Sequence, residues 1–149
     1  MVSSFLRLDG RLLVVFDGTC ALCNRMVRWF LRRDRLDRLR FTASGSAEVA
    51  ALLARHKIGI PELEAGPNTI LVVRDCGEAA ECVLVRSDAV LALLGELPQP
   101  WPSVAAALCW IPRPLRDLGY RLIARWRYRI WGRLESCPLP APEERVKFL

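Results

Sequence analysis

Apolar positions in this chain change their spacing from segment to segment, and each change predicts an element. Residues 12–16 (LLVVF) are a short continuous apolar run rich in β-branched side chains, the mark of a buried strand. From Cys20 to about Arg33, Cys23, Met26, Val27, Phe30 and Leu31 recur at helical spacing, with Arg25, Arg28 and Arg32 turned the other way. A second strand is expected over residues 39–42. A helix then runs to about residue 57, capped by Ser46, with Val49, Leu52 and Leu53 inward and Gly59 closing it. A loop with Pro61, Gly66 and Pro67 leads to a strand over 69–74. DCGEAAE turns the chain, and residues 82–86 return as an antiparallel partner. Ser87 is placed to cap a helix to about residue 94, with Asp88 beside it. The order β-α-β-α-β-β-α predicts an α/β fold, a mixed sheet with helices on both faces.

Residues 1–95 make up that core, and residues 96–149 read as a helical extension packed on the same domain. The linker LPQPWP precedes an apolar helix near 104–110, which IPRP breaks. Over 115–131, Leu115, Leu118, Leu122, Ile123, Trp126 and Ile130 share one helical face. That spacing predicts that this face, Trp126 included, is the buried one.

Composition narrows the class. At 149 residues the chain suits one domain, and 52% hydrophobic against 26% charged residues excludes a disordered chain. The longest uncharged stretch, 97–112, carries four prolines and is too short for a spanning helix, so no transmembrane segment is expected. The early apolar run ends at Asp17 and does not resemble a secretory signal, which makes the cytoplasm the expected compartment. There, six cysteines point to catalysis or metal binding more than to structural staples. The net charge of +6 permits an anionic partner. Arg121, Arg125, Arg127, Arg129 and Arg133 interleave with Trp126, Tyr128 and Trp131, a mixture that suits nucleic acid or an anionic membrane surface. A packed helix with a solvated basic face is the simpler expectation, and nucleic acid is not an expected partner.

The chemistry centres on Cys20 and Cys23, where a strand hands over to a helix. Unpaired N–H groups and the positive dipole end at a helix start favour a thiolate. Cys20 is the candidate nucleophile and is expected to be the more exposed of the two. Cys23, nearly a turn on and inward, can resolve a mixed disulfide. The alternatives are an inert pair or a zinc half-site with further ligands from Cys76, Cys82, Cys109, Cys137 or His56, although no second CxxC exists. Asp17, three residues before Cys20, has two open roles. It can accept or return the Cys23 proton, or it can form a turn with Gly18 and bind nearby amides. Cys76 and Cys82 flank the hairpin turn, where facing each other would allow a second disulfide or a relay, although small hydrophobes are the commoner use of such residues. Cys109 reads as core and His56 as a surface residue near a helix end.

Three blocks in order carry a family resemblance. They are FDGTCALC with Asp17, Cys20 and Cys23, then VRSDAVLALL at 85–94, then IPRPLRDLGYRLIARWRYRIWG with Tyr120, Ala124, Arg127, Tyr128 and Gly132, followed by Cys137. The chain resembles the thiol–disulfide oxidoreductase DCC family, a thioredoxin-like group. The resemblance implies a thioredoxin-like core and disulfide exchange through Cys20 and Cys23, with Asp17 as the third signature residue. Thr19, Asn68, Thr69, Tyr120 and Arg127 are the substrate-facing candidates. No metal or organic cofactor is required; the expected partners are a protein or small-molecule thiol or disulfide, and a dithiol that reduces or oxidises the pair. Thioredoxins place a cis-proline directly before the threonine of the facing strand. Here Asn68 holds that place and Pro67 lies one position earlier, so either the loop shifts or no cis-proline faces the pair. Glutaredoxins usually place a lysine where Asp17 stands, which argues against glutathione docking in their manner. The rival reading is a non-catalytic module that keeps the fold and engages a protein, membrane or nucleic acid through its arginine-rich helix.

Overall fold

In the computed structural model of the chain, residues 8, 10–56, 70–76, 79–135 and 140–149 are described. The strands are β1 (Leu12–Phe16), β2 (Leu39–Ala43), β3 (Leu71–Arg74) and β4 (Cys82–Val85). The helices are α1 (Ala21–Arg33), α2 (Ala47–His56), α3 (Arg86–Gly95), α4 (Trp101–Cys109) and α5 (Arg113–Ile130), with a 3₁₀ turn over Arg145–Lys147.

The sheet order is β2-β1-β3-β4. β1 pairs parallel with β2, through α1, and antiparallel with β3, which pairs antiparallel with β4. Every residue of β1 is buried, because helices cover both faces of the sheet. Leu12, Val14 and Phe16 point into a cluster with Val27 and Phe30 of α1 and Ala89 and Leu93 of α3. Leu13 packs with Leu52 of α2, and Val15 with Val49. Each fully buried aliphatic side chain contributes roughly 1.5–3 kcal/mol. Ser46 caps α2 by accepting from the Val49 N–H at 3.3 Å. The expected closing Gly59 lies outside the described residues, as does the His56 side chain.

The C-terminal region packs back on this core. Trp101 of α4 meets Trp29 of α1 edge to face, ring centroids 4.6 Å apart, with Arg33 stacked over Trp29. Phe148 packs against Phe16 and Phe41, while the Leu149 N–H donates to the Phe41 carbonyl at 2.9 Å.

Four expectations are corrected. Leu115, Leu118, Leu122, Ile123, Trp126 and Ile130 do share a face of α5, but that face is exposed. The buried positions of α5 are Asp117 and Arg127, because their polar partners lie inside. Ser87 does not cap α3, whose cap residue is Val85. Its hydroxyl donates instead to Asp117 of α5, and Asp88 pairs with Arg113 at 3.0 Å and Arg116 at 3.2 Å. This clasp holds α5 against the start of α3. Cys109 is exposed, since α4 turns Ala105 to the core instead. Cys76 and Cys82 do not face each other: Cys76 is buried with Leu13 and Leu52, whereas Cys82 is exposed and sits opposite Arg74.

Candidate active site

Cys20 is the N-cap of α1, in extended backbone with φ −84° and ψ 120°. Its Sγ accepts the Cys23 backbone N–H at 3.4 Å, the place a serine or aspartate oxygen takes in an ordinary cap. A sulfur there meets an orphan amide and the positive end of the helix dipole. The Cys20 thiol is accordingly drawn down to about 6, first by the hydrogen bond with the Cys23 side chain. Burial opposes this, and the Cys23 amide and the Arg127 charge reinforce it. Cys23 moves the other way, pushed up by its bond to Cys20, by burial and by the neighbouring Cys20 charge. The two neighbouring thiols are thus pushed in opposite directions, Cys20 toward the thiolate and Cys23 toward the thiol.

Exposure reverses the expectation for these two residues. Cys20 has no accessible surface, while Cys23 is half-buried. The cause is the chain after α5. Gly132 turns in the left-handed region at φ +83°, Arg133 forms an antiparallel bridge with Cys20, and the Leu134 N–H donates to the Thr19 carbonyl at 2.7 Å. Residues 131–135 thus form a strap alongside residues 19–20.

Asp17, at the end of β1, is buried and receives four hydrogen bonds. The Thr19 N–H donates at 2.9 Å and the Thr19 hydroxyl at 2.8 Å, both to Oδ1. The Tyr128 hydroxyl and Arg127 Nη2 (3.4 Å) donate to Oδ2. Arg127 also donates from Nη2 to Tyr128 at 3.0 Å and from Nη1 to Cys23 Sγ at 3.6 Å. Burial works against the guanidinium charge, but Cys23, Tyr128, Cys20 and Asp17 together outweigh it and hold Arg127 charged. The signature aspartate and the CxxC are thereby joined through one arginine.

Among the substrate-facing candidates, Tyr120 and Arg127 line a cleft of about 250 Å³ with Leu22, Cys23, Met26 and Ile123, almost wholly apolar in its walls. Tyr120 also accepts the Ile70 N–H at 2.9 Å, tethering the entry to β3. The Thr19 hydroxyl is spent on Asp17 rather than turned to the cleft. Asn68, Thr69, Pro67 and Cys137 lie outside the described residues. Among the described residues no group of three or more His, Cys, Asp or Glu is arranged to hold a metal. Sequence reasoning missed the part of Tyr128, whose partner is 111 positions away and leaves no local signal. It also missed Asn24, which donates to the Gly18 and Cys20 carbonyls at 2.8 and 2.9 Å and braces the turn ahead of α1. A side-chain amide in the first turn of a helix was the available hint.

A mixed four-stranded sheet of this order, with a CxxC at the tip of the first helix, defines a thioredoxin-like protein. The chain belongs to the DCC1-like thiol-disulfide oxidoreductase family, whose model matches residues 14–133. It is 33% identical to a chloroplastic DCC family protein of Arabidopsis thaliana, over 92% of this chain and 74% of that protein. It is 31% identical to the uncharacterized protein YuxK of Bacillus subtilis, over 91% of this chain and 92% of that one. No solved structure matches the chain significantly.

Proposed function

We propose that this protein exchanges disulfides through the Cys20–Cys23 pair, with Cys20 attacking and Cys23 resolving. The observation that carries the reading is the placement of two neighbouring sulfurs, Cys20 Sγ capping the helix on the Cys23 amide and Cys23 Sγ facing Arg127, an arrangement that draws the Cys20 thiol down and pushes Cys23 up. The Cys20 thiolate attacks a substrate disulfide, forming a mixed disulfide and expelling one substrate sulfur, which leaves as a thiol after taking up a proton. Cys23 then gives up its proton and attacks Cys20 Sγ. The Cys20–Cys23 disulfide forms, and the second substrate sulfur leaves as a thiol. Two electrons pass to the substrate, and a dithiol partner returns them; the reverse direction uses the same steps. We assign Asp17 the architectural part: it anchors Arg127, whose charge favours the Cys20 thiolate and would steady Cys23 as it deprotonates. Substrate contacts fall to Tyr120 and Arg127, beside Cys23 in the apolar cleft. Attack by Cys20 requires that residues 131–135 draw aside.

The covering of Cys20 favours a second reading, a thioredoxin-like binding module that has kept the pair without turnover. Mixing a Cys23→Ser variant with a small aromatic disulfide separates the two. Exchange predicts a stable mixed disulfide on Cys20, located by peptide mass spectrometry. Equal, slow reaction of all the cysteines supports the binding module.

A further inference from the structure

Helix α5 turns its apolar side to solvent. Leu115, Leu118, Leu122, Ile123, Trp126 and Ile130 are each between 43% and 64% exposed, and Trp110, at the turn before the helix, is 90% exposed. Scattered exposed leucines are ordinary, but six on one helical stripe form a patch of the kind that marks an interaction site. Arg121, Arg125 and Arg129 recur every fourth residue along one edge of that stripe, all exposed. Arg125, Trp126, Tyr128 and Arg129 line an open notch, with Arg129 lying over the Trp126 ring. Charge is concentrated here as well. Residues 97–134 hold seven arginines and one acidic residue, Asp117, which equals the whole net charge of +6. Asp117 and Asp88 pair with Arg113 and Arg116 at the start of the helix, and Arg127 is buried against Asp17, so the exposed charge beside the stripe is that of the row Arg121, Arg125 and Arg129.

We propose that this face of α5 is a docking surface for an anionic lipid bilayer, on which the helix lies flat. An apolar stripe beside a row of arginines, with tryptophan among the apolar residues, suits the boundary between acyl chains and acidic headgroups. No described helix is long and apolar enough to cross a membrane, so the contact is with one leaflet. A second copy docked antiparallel through this stripe would bring the two arginine rows to the same edge, where like charges repel. Nucleic acid would satisfy the arginines but leave the leucines and isoleucines in water. Ile123 belongs both to this face and to the cleft beside Cys23, so docking would bring the cleft close to the bilayer surface.

The test is flotation of the full-length protein with vesicles of phosphatidylglycerol and phosphatidylcholine in equal parts, against vesicles of phosphatidylcholine alone. Tryptophan emission is followed in parallel. The protein should float with the anionic vesicles only, its emission shifting to the blue, and added salt should weaken binding. Replacing Arg121, Arg125 and Arg129 together by glutamine should weaken binding roughly a hundredfold, from about a fivefold effect per arginine. Leu122→Asp should weaken it roughly tenfold or more. Unchanged circular dichroism and unchanged Cys20 alkylation in both variants show that the fold is intact. Absence of flotation overturns the proposal. So does a Leu122→Asp variant that binds like the parent, which would mean charge attraction alone. A stable dimer in which Trp126 is shielded from quenchers, or tight nucleic acid binding without vesicle binding, also overturns it.

Discussion

Arg127 Nη1 donates to Cys23 Sγ across 3.6 Å, although 104 positions separate the two residues in the chain. The same guanidinium holds Asp17 at 3.4 Å, with both side chains almost wholly buried at 4% and 3% exposure. A buried charge pair of this kind is costly to break from one side, because the remaining partner stays desolvated. Arg127→Gln should therefore destabilise the reduced protein by about 3–5 kcal/mol. Urea unfolding measures this. A cycle with Asp17→Asn should show that the double variant loses less than the two single losses added together. Additive losses would mean that the pair is not coupled.

Cys20 titrates near 6 in the folded chain against an ordinary value of 9.0. Its alkylation rate by iodoacetamide should rise through about pH 6 and be level well above it. Between those two values the unfolded chain holds a proton at Cys20 that the folded chain has released, so the Cys20 contribution to stability grows with pH across that window. It is fully present above about 9 and disappears below about 6. Comparing reduced wild type with Cys20→Ser across pH isolates it; parallel stability curves would contradict the depressed value.

Gly132 adopts a left-handed conformation that a side chain disfavours by roughly 1–2 kcal/mol. Gly132→Ala should loosen residues 131–135 from residues 19–20. Cys20 alkylation should then accelerate and its midpoint pH should move down rather than up, since lost burial removes the influence that raises it while the helix cap and Arg127 are untouched. An unchanged rate would show that the strap does not control access to the sulfur.

The Ser87 hydroxyl donates to Asp117, and Arg113 lies 3.7 Å from the same carboxylate. These partners hold the Asp117 carboxyl below its usual range, the Ser87 bond foremost. Ser87→Ala should cost about 1–3 kcal/mol at neutral pH, the penalty for leaving a buried acceptor short of a partner. The difference from wild type should shrink as pH falls through the native Asp117 titration, because the lowered group contributes only while ionised. Thermal unfolding at neutral and acidic pH checks the sign.

Much of this molecule was legible as a linear pattern. The unbroken run of Leu12 to Phe16 marked a strand covered on both faces, and the spacing of Val27 and Phe30 marked the inward side of α1. Both follow from local geometry, since strand and helix periods are properties of the backbone alone. The placement of Cys20 and Cys23 at a strand-to-helix junction is local too, so the sulfur-capped helix could be anticipated before any coordinates. The orientation of α5 could not. Periodicity identifies which residues share a side, but not which side turns inward, and here Asp117, Tyr120 and Arg127 face in because Ser87, Ile70, Asp17 and Cys23 wait there. The burial of Cys20 beneath residues 131–135 was equally hidden, for it depends on two segments over a hundred residues apart meeting edge to edge. Local spacing decided the elements and the chemistry they carry; only long-range packing decided which of the two sulfurs water can reach, because solvent access belongs to the assembled surface and not to any stretch of chain.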